Sequence, residues 1–395
     1  MKLPESFTDM SNVLFGVDAF INQADAFKNV RVGFVTNNAA ATSKGMLSRN
    51  ALLGAGFSIT KLFSPEHGLT TKGEDGAYQS NSTDASTLLP VVSLYGKHLM
   101  PSAEDMADID IVIFDIPDAG CRFYTYLWTM TYVMEACALH NKPLIILDRP
   151  NPIGGDIDKA EGPMLDEKNC SSFIGRWDIP IRHSCTLGEL ATYFSVSRKI
   201  DIDLTIIPIT NWNRNQLPSE NNWKFTATSP AISTIKTALC YSGTGLFEGF
   251  TINEGRGSDT PFTNFGAPWI DSTLLVNKIN EMQLPGIQFS TITYTPSDSL
   301  YAGECCFGLS LSITDENIFL PVQTGITIIQ QLLLLFPEHC KERLYKTVAN
   351  KSGEKHSDKL LGIENSFLRL KEGNKIITEL NVDWEKIITP FLLYH

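Results

Sequence analysis

Residues 109–147 decide the fold: they read IDIVIFD at 109–115, then a helical segment at 126–139, then PLIIL at 143–147. The two apolar runs do not alternate with polar residues, which is typical of strands buried on both faces of a parallel sheet covered by helices. A strand, a helix and a strand in this order indicate a Rossmann-like α/β unit.

The same alternation extends on both sides of this unit. Further strands are predicted at 30–36, 58–63, 91–94 and 204–209, and further helices near 43–54 and at 186–195. The stretch at 210–219 is rich in Asn and other polar residues, so it is predicted to lead out of the sheet. Residues 1–210 are therefore expected to form a Rossmann-like, mostly parallel domain.

A second, smaller α/β domain is expected over residues 211–395, because a chain of 395 residues is too long for one ordinary hydrophobic core. The second half contains a loop-rich segment at 241–271, strand-like stretches at 289–294 and 306–313, and an amphipathic helix at 324–335. The tail at 383–395 is predicted to form a final helix and strand that dock on the body of the protein.

Composition excludes several classes of protein. With 43% hydrophobic residues, 19% charged residues and a mean hydropathy of −0.04, the chain is typical of a globular protein. Its longest apolar runs are shorter than the about 20 residues that span a bilayer, so no membrane helix is expected. A net charge of −12, a pI near 5.1 and the lack of a basic run argue against a nucleic-acid partner.

Motifs for cofactors and metals are missing from the sequence. No Walker-type phosphate loop and no GxGxxG follow a predicted strand, so neither ATP nor NAD binding is indicated. The histidines form no HExxH motif, and the eight cysteines form no CxxC pair or Cys/His metal spacing. No cofactor and no metal are therefore expected, and nothing in the sequence indicates an oligomeric state.

The cysteines and the start of the sequence bear on location. Cysteines without a disulfide pattern favour a reducing compartment. The first six residues contain no apolar signal segment, so a cytoplasmic location is expected, with a periplasmic or secreted one if a leader has been removed.

Polar segments follow four of the predicted strands, where ligands bind in a doubly wound sheet. They are Thr36-Asn37-Asn38, Ser64-Pro65-Glu66-His67-Gly68, Asp115-Ile116-Pro117-Asp118-Ala119-Gly120 and Asp148-Arg149-Pro150-Asn151-Pro152. Each segment alone is also explained by turn chemistry, since Asn, Asp, Gly and Pro are ordinary turn residues. Four such segments at one edge indicate a binding site.

Glu66 is the sharpest single candidate. Pro65 before it and His67-Gly68 after it would hold a carboxyl group on a tight loop beside an imidazole, as a general acid or base requires. The alternative is a solvated loop glutamate beside a capping histidine.

Other candidates have equally plausible structural explanations. Asp115 and Asp118 are potential acids, or caps and Asx-turns before the next helix. Arg122, Tyr124 and Tyr126 suit a sugar ring and a carboxylate, although the tyrosines are also explained as core aromatics.

Three further segments complete the candidates. Asp148 and Arg149 could bind ligand or pair with each other. A capping box of Thr186 and Glu189 explains these two residues structurally and leaves His183 as a candidate. Glu254 and Arg256 lie in a glycine-punctuated loop, which allows close approach to a ligand but is also what a tight turn needs.

Together these motifs resemble one known family. Ser-Pro-Glu-His-Gly at 64–68, Arg-Phe-Tyr-Thr-Tyr at 122–126, Asp-Arg-Pro-Asn-Pro at 148–152, Glu-Gly-Arg-Gly at 254–257 and Gly-Ala-Pro-Trp at 266–269 are similar to motifs of the NamZ-type exo-β-N-acetylmuramidases. The resemblance runs in order over most of the chain. Two motifs depart from the family pattern: Pro117 replaces a Gln, and His183-Ser184-Cys185-Thr186 replaces His-Gly-Met-Thr.

The resemblance implies a fold and an activity. It implies a Rossmann-like domain and a smaller α/β domain with the active-site cleft between them, and a glycosidase that releases N-acetylmuramic acid from the non-reducing end of peptidoglycan fragments. The alternative is a non-catalytic protein that binds muramyl sugars. An ester or amide hydrolase has no support, because the sequence contains no GxSxG elbow or recognisable Cys/His nucleophile motif.

The resemblance also implies roles for the candidate residues. Glu66 is expected to protonate the leaving oxygen, with Asp118, Asp115 or Glu254, in that order, as a second carboxylate, although a 2-acetamido group can also supply the nucleophile. His67 or His183 would orient or polarise these groups. The lactyl carboxylate of muramic acid would pair with one of three arginines, since guanidinium binds carboxylate in a bidentate manner: Arg122, Arg149 or Arg256. The remaining expected substrate-binding residues are Asn37, Tyr124, Tyr126, Asp148 and Asn151.

Overall fold

The computed structural model describes residues 12–23, 27–220, 222–376, 378 and 384–394. Among these residues, seven strands form one sheet. They are β1 (Arg31–Thr36), β2 (Ser58–Ser64), β3 (Ser82–Thr83), β4 (Pro90–Ser93), β5 (Ile111–Asp115), β6 (Leu144–Leu147) and β7 (Leu204–Ile207).

The large sheet has the strand order β3-β4-β2-β1-β5-β6-β7. All neighbouring strands are parallel except β3 and β4. Without β3, this is the strand order of dinucleotide-binding folds, in which the order reverses between β1 and β5. The predicted Rossmann-like sheet is confirmed.

Helices pack around both sheets. They are α1 (Gly16–Gln23), α2 (Ser48–Gly54), α3 (Ala103–Met106), α4 (Thr125–Leu139), α5 (Glu167–Cys170), α6 (Leu187–Ser197), α7 (Ile235–Thr244), α8 (Ser272–Glu281), α9 (Pro321–Leu335), α10 (His356–Leu361), α11 (Ser366–Lys371) and α12 (Trp384–Ile388). None of them, within the residues described, is long and apolar enough to cross a membrane.

The second domain contains a smaller antiparallel sheet of β8 (Asn264–Ala267), β9 (Ile287–Tyr294) and β10 (Cys306–Ile313), in the order β8-β10-β9. Helix α8 packs on β9 and β10, and α9 packs on α7 and α8. The predicted second α/β domain is thus present. Strand β8 was not predicted, because its sequence NFGA reads as a loop. A side chain at Gly308 opposite it would place Cβ 1.8 Å from the Phe265 carbonyl oxygen, so this close strand pairing needs glycine.

Three predicted elements differ from the structure. The helix expected near 43–54 begins only at Ser48, because Gly45 occupies a turn with a φ of 85°. Helix α7 and strand β8 interrupt the segment expected to be rich in loops. The tail forms α12 and a 3₁₀ helix (Thr389–Phe391) but no strand over residues 392–394, and positions 383 and 395 lie outside the described residues.

The core is continuous between the two sheets. Helix α4 is apolar on nearly every side, as a fully buried helix must be, and it packs between the large sheet and the second domain. The Phe123 ring lies 5.1 Å from that of Tyr241, which in turn lies 4.7 Å from Phe262 of the second domain. These rings form part of a shared hydrophobic cluster.

The chain's tail docks on the large sheet, as predicted. Tyr394 is buried, and its hydroxyl donates to Asp148 Oδ2 at 2.6 Å, just after β6. The same hydroxyl accepts from the backbone N–H of Ile209 at 3.0 Å, and the ring packs edge-on against Trp212. One side chain therefore ties the last residues to the ends of two strands.

We expect Tyr394→Phe to lower the free energy of unfolding by about 1–3 kcal/mol, because it leaves the buried Ile209 N–H without its acceptor and removes a donor from Asp148. Urea unfolding followed by tryptophan fluorescence measures the change. Tyr78→Phe is the matched control: Tyr78 is 60% exposed, so its loss should change stability by less than about 0.5 kcal/mol. Equal effects in the two variants would contradict the docking role.

Candidate active site

A cavity opens beside the carboxyl end of β2, between the two domains. This inner cavity has a volume of about 50 Å³. Its walls come from both halves of the chain, and include Glu66, Asp75, Tyr95, Tyr124 and Thr125 from the first half and Tyr241, Glu248, Arg256, Tyr345 and His356 from the second.

A wider cleft adjoins the inner cavity. This outer cleft has a volume of about 590 Å³ and shares His67, Asp75, Arg256 and Tyr345 with the inner cavity. The shared residues place the inner cavity at the end of the open cleft, an arrangement suited to a ligand with one buried terminal group.

Glu66 is held rigidly on the inner wall. Its Oε1 accepts from the Gly76 N–H at 2.7 Å, and its Oε2 accepts from the Thr125 hydroxyl at 2.7 Å, at the start of α4. The side chain is buried. Burial, and then the charge of Asp75, raise the pKa of Glu66, while His67, Thr125 and Gly76 oppose this shift. The carboxyl group is therefore adapted to hold a proton at a pH where ordinary glutamates have lost theirs.

His67 follows in a left-handed conformation with a φ of 64°. Its Nδ1 lies 2.8 Å from the Gly73 carbonyl oxygen. Because a carbonyl only accepts, Nδ1 carries a hydrogen and donates in this contact. The contact also closes the loop from Glu66 to Gly73.

Asp75 is a second carboxylate on the inner cavity, beside Glu66 and Glu248. Its Oδ2 accepts from the Tyr345 hydroxyl, and its Oδ1 lies 3.4 Å from Arg256 Nη2. Desolvation of the partly exposed Asp75 side chain raises its pKa, but Arg256, His67, Tyr345 and His356 together outweigh this effect and lower it. Glu66 and Asp75 thus differ in the direction of their pKa shifts, which is how two carboxyl groups acquire an acidic and an ionised role.

Arg256 is surrounded by carboxylates. Its Nη2 donates to Glu248 Oε1 at 2.8 Å, and its Nε lies 3.0 Å from Glu254 Oε1 without hydrogen-bond geometry. Gly255 and Gly257 on either side have φ values of 83° and 77°, which side chains rarely adopt, so the glycines are needed for this turn. Glu254 is fully buried behind Arg256, and burial raises its pKa against the opposing charge of Arg256.

His356 and Tyr345 complete this side of the cavity. Their rings stack at 4.5 Å with an angle of 13° between their planes. His356 is buried, and its Nε2 lies 3.7 Å from Glu248 Oε2, beyond hydrogen-bond distance. Neither ring nitrogen has a hydrogen-bond partner among the described residues. This imidazole is therefore available to a group that enters the cavity.

Asp115 and Arg149 form a buried ion pair away from the inner cavity. Arg149 Nε lies 2.5 Å from Asp115 Oδ1, and Nη2 donates to Oδ2 at 3.0 Å. The same nitrogen donates to the Ala41 carbonyl and the Ser48 hydroxyl. All of these groups are buried, so Arg149 pairs with Asp115 rather than with Asp148 and is not free for a substrate carboxylate.

Asp118 and His183 form a second internal pair. His183 Nε2 lies 3.2 Å from Asp118 Oδ2, and its Nδ1 accepts from the Cys185 N–H. The contact with His183 lacks hydrogen-bond geometry, and Asp118 Oδ2 accepts instead from the Gly120 N–H, an Asx-turn, as the structural alternative predicted. Asp118 lines a separate cavity of about 20 Å³. This placement does not favour Asp118 as the carboxylate that works with Glu66.

Arg122 and Tyr126 also have structural partners. The fully buried Arg122 guanidinium donates to the carbonyls of Pro163, Ile179 and Leu360, which ties the two domains together. Burial lowers its pKa to about 10. The Tyr126 hydroxyl donates to a backbone carbonyl, that of Thr228, as expected of a core tyrosine. Neither side chain lines the inner cavity.

The remaining candidates support loops at the sheet edge. Asp148 accepts from Thr186, Gly188 and Tyr394, and burial raises its pKa to about 6. Asn151 donates to the Cys185 carbonyl, and Asn37 Oδ1 accepts from the Ala39 N–H. The predicted capping box of Thr186 and Glu189 is present.

The structure therefore brings Glu66, His67, Tyr124 and Arg256 together from the candidates, with Glu254 directly behind. Sequence reasoning missed Asp75, although it lies in the same loop as Glu66, in a Gly-Glu-Asp-Gly run that marks a tight turn. No motif marked Glu248, Tyr345 or His356. Among the described residues, no three His, Cys, Asp or Glu side chains are grouped so that they could hold a metal ion.

Both halves of the chain match the same protein family. Residues 32–236 match the N-terminal part, and residues 239–394 the C-terminal part, of the family described as exo-beta-N-acetylmuramidase NamZ. The chain is 36% identical over 379 residues to the peptidoglycan beta-N-acetylmuramidase NamZ of Bacillus subtilis (strain 168), covering 95% of this chain and 88% of that protein.

Two crystal structures of DUF1343 family proteins from Bacteroides fragilis NCTC 9343 share the fold. One has a TM-score of 0.86 at 27% identity and covers 98% of this chain and 100% of its own. The other has a TM-score of 0.72 at 26% identity and covers 98% and 99%. With both of its halves matched in sequence, this chain belongs to the NamZ exo-beta-N-acetylmuramidase family.

Proposed function

We propose that this protein is an exo-β-N-acetylmuramidase, a glycoside hydrolase that releases N-acetylmuramic acid from the non-reducing end of peptidoglycan-derived fragments. Family membership supports the substrate class and the reaction. The observation that carries the chemistry is Glu66, a buried carboxyl group with a raised pKa that lines the inner cavity at the end of the open cleft. Nothing in the comparisons supports the non-catalytic alternative.

Glu66 is the general acid in this proposal. Breaking a glycosidic bond requires a proton on the leaving oxygen, and a carboxyl group with a raised pKa can deliver it near neutral pH. Hydrogen bonds from Gly76 and Thr125 hold both oxygens of Glu66 in place, so the group is oriented before substrate arrives. Oriented groups of this kind avoid reorganisation during the reaction.

Asp75 takes the place of Asp118 as the second carboxylate. It lines the same cavity as Glu66, and Arg256 and Tyr345 keep it ionised by lowering its pKa. An ionised carboxylate on the anomeric side stabilises the positive charge that develops on the sugar and can activate water or orient a 2-acetamido group. His67, between the two acids in the loop, interacts with both charges.

The cavity walls suit a saccharide. Tyr95, Tyr124, Tyr241 and Phe173 present aromatic surface to the inner cavity. Aromatic rings cover the apolar faces of a sugar, while their polar edges and the neighbouring carboxylates face its hydroxyl groups. The outer cleft leaves room for the rest of the fragment beyond the scissile bond.

The first prediction concerns Glu66→Gln. Loss of the proton donor should lower kcat by about a hundred- to ten-thousand-fold, the usual contribution of general acid catalysis. A chromogenic β-N-acetylmuramic acid glycoside and its N-acetylglucosamine counterpart measure rate and selectivity. Glu104→Gln, an exposed change on α3, is the control and should retain full activity. Near-normal turnover by folded Glu66→Gln protein would remove Glu66 from the mechanism.

Asp75→Asn should lower kcat by at least about a hundredfold if Asp75 is the second carboxylate. It should also move the alkaline limb of the residual activity to lower pH, because it removes a negative charge that raises the pKa of Glu66. Asp201→Asn changes an exposed aspartate outside the inner cavity and outer cleft, and should change neither quantity. Unchanged kcat in Asp75→Asn would return the role of second carboxylate to the other acids.

Thr125→Val tests how the hydroxyl of Thr125 affects the pKa of Glu66. The Thr125 hydroxyl stabilises the ionised carboxylate and so lowers its pKa. Removing this hydroxyl should raise the pKa of Glu66 further. Because the general acid works only when protonated, the alkaline limb of kcat/KM against pH should move to higher pH. Thr129→Val, one turn later on α4 and also buried, does not touch Glu66 and should leave the limb in place.

A further inference from the structure

The charges on the inner cavity raise a question about substrate recognition. N-acetylmuramic acid differs from N-acetylglucosamine by a lactyl ether whose carboxylate is ionised at neutral pH. Of the three arginines expected to bind it, Arg122 and Arg149 do not line the inner cavity. Arg256 lines it, but Asp75, Glu248 and Glu254 already surround its guanidinium. A further carboxylate beside these three would be repelled.

Lys359 is a second cation on the inner cavity. Its Nζ donates to the backbone carbonyl of Glu354 at 3.0 Å, and no carboxylate of the described residues forms an ion pair with it. The neighbouring Asp358 is occupied, because it accepts from the backbone N–H groups of Asn365 and Ser366. Lys359 therefore has donor capacity left for an incoming anion.

Asn350 supplies a second donor on the same cavity. Its side-chain Nδ2 is buried and has no hydrogen-bond partner among the described residues. A buried donor without a partner is unfavourable, and a ligand that supplies an acceptor removes this penalty. An ammonium group and an amide N–H on one cavity form an arrangement that selects for an anion with more than one oxygen.

The position of Lys359 relative to the catalytic groups also fits. Lys359 follows His356 by three residues on α10, so the two side chains lie on one face with Cβ atoms about 5–6 Å apart. His356 contacts Tyr345 and lies near Glu248, in the cluster that holds Asp75. Lys359 is thus one helical turn from His356, in position to bind a substituent of a sugar held beside those acids.

We infer that Lys359 and Asn350 form the subsite that binds the lactyl carboxylate and selects N-acetylmuramic acid over N-acetylglucosamine. This inference rests on the proposed function for the identity of the sugar. Lys359 supplies the charge, and Asn350 fixes the orientation of the carboxylate.

Binding and turnover test the inference separately. Binding of N-acetylmuramic acid, of its uncharged lactyl amide and of N-acetylglucosamine is measured by calorimetry on Glu66→Gln protein with and without Lys359→Met. We expect Lys359→Met to weaken binding of the acid by about ten- to a hundredfold, the range for a hydrogen bond to a charged group, and to change binding of the amide by less than about threefold. Lys359→Arg should restore part of the preference.

Controls separate this subsite from folding and from the reaction itself. Lys355→Met removes an exposed charge at the start of the same helix and should leave both affinities unchanged. Asn350→Ala should weaken binding of the acid more than that of N-acetylglucosamine. An unchanged ratio of acid to amide affinity in Lys359→Met would overturn the inference. If Lys359→Met removes the preference for the acid but the wild-type protein cleaves no glycoside, the proposed function is wrong. The assignment of the subsite would still hold in that case.

Discussion

The buried ion pair between Arg149 and Asp115 is the constraint on which the carboxyl edge of the sheet depends. It joins the ends of β5 and β6, and the same guanidinium reaches the Ala41 carbonyl and the Ser48 hydroxyl after β1. Removing either partner would leave an unpaired charge in the interior, which costs several kcal/mol. This pair lies where the strand order reverses, the usual ligand site of such folds, yet here it serves as a support for loops.

The candidate site contains two acids of one loop, Glu66 and Asp75, whose surroundings shift their pKa values in opposite directions. Glu66 faces two neutral donors and a nearby negative charge, so burial dominates and its pKa rises. Asp75, nine residues later, faces Arg256, His67 and the Tyr345 hydroxyl, so its pKa falls. In the proposed mechanism Glu66 donates the proton and Asp75 stays ionised, and this contrast would let one loop provide both groups.

The second domain contributes part of the wall of the candidate site. Arg256, Tyr345 and His356 reach the cavity from it, and Arg122 ties the domains through the carbonyls of Pro163 and Leu360. The aromatic rings around Tyr241 pack the two halves of the chain against each other. A terminal sugar in the inner cavity would touch residues of both domains, with the remaining fragment in the outer cleft.

The sequence by itself determined the parallel sheet, the buried helix α4, the capping box and the prominence of Glu66, because hydrophobic periodicity and turn chemistry act over a few residues. It also carried the family motifs, but several of those residues, such as Arg149 and Tyr126, proved to support the site from outside the cavity. Only the tertiary structure brought Asp75 to Tyr345, 270 residues away along the chain. Contacts of that separation depend on how two domains pack, and no local pattern encodes them.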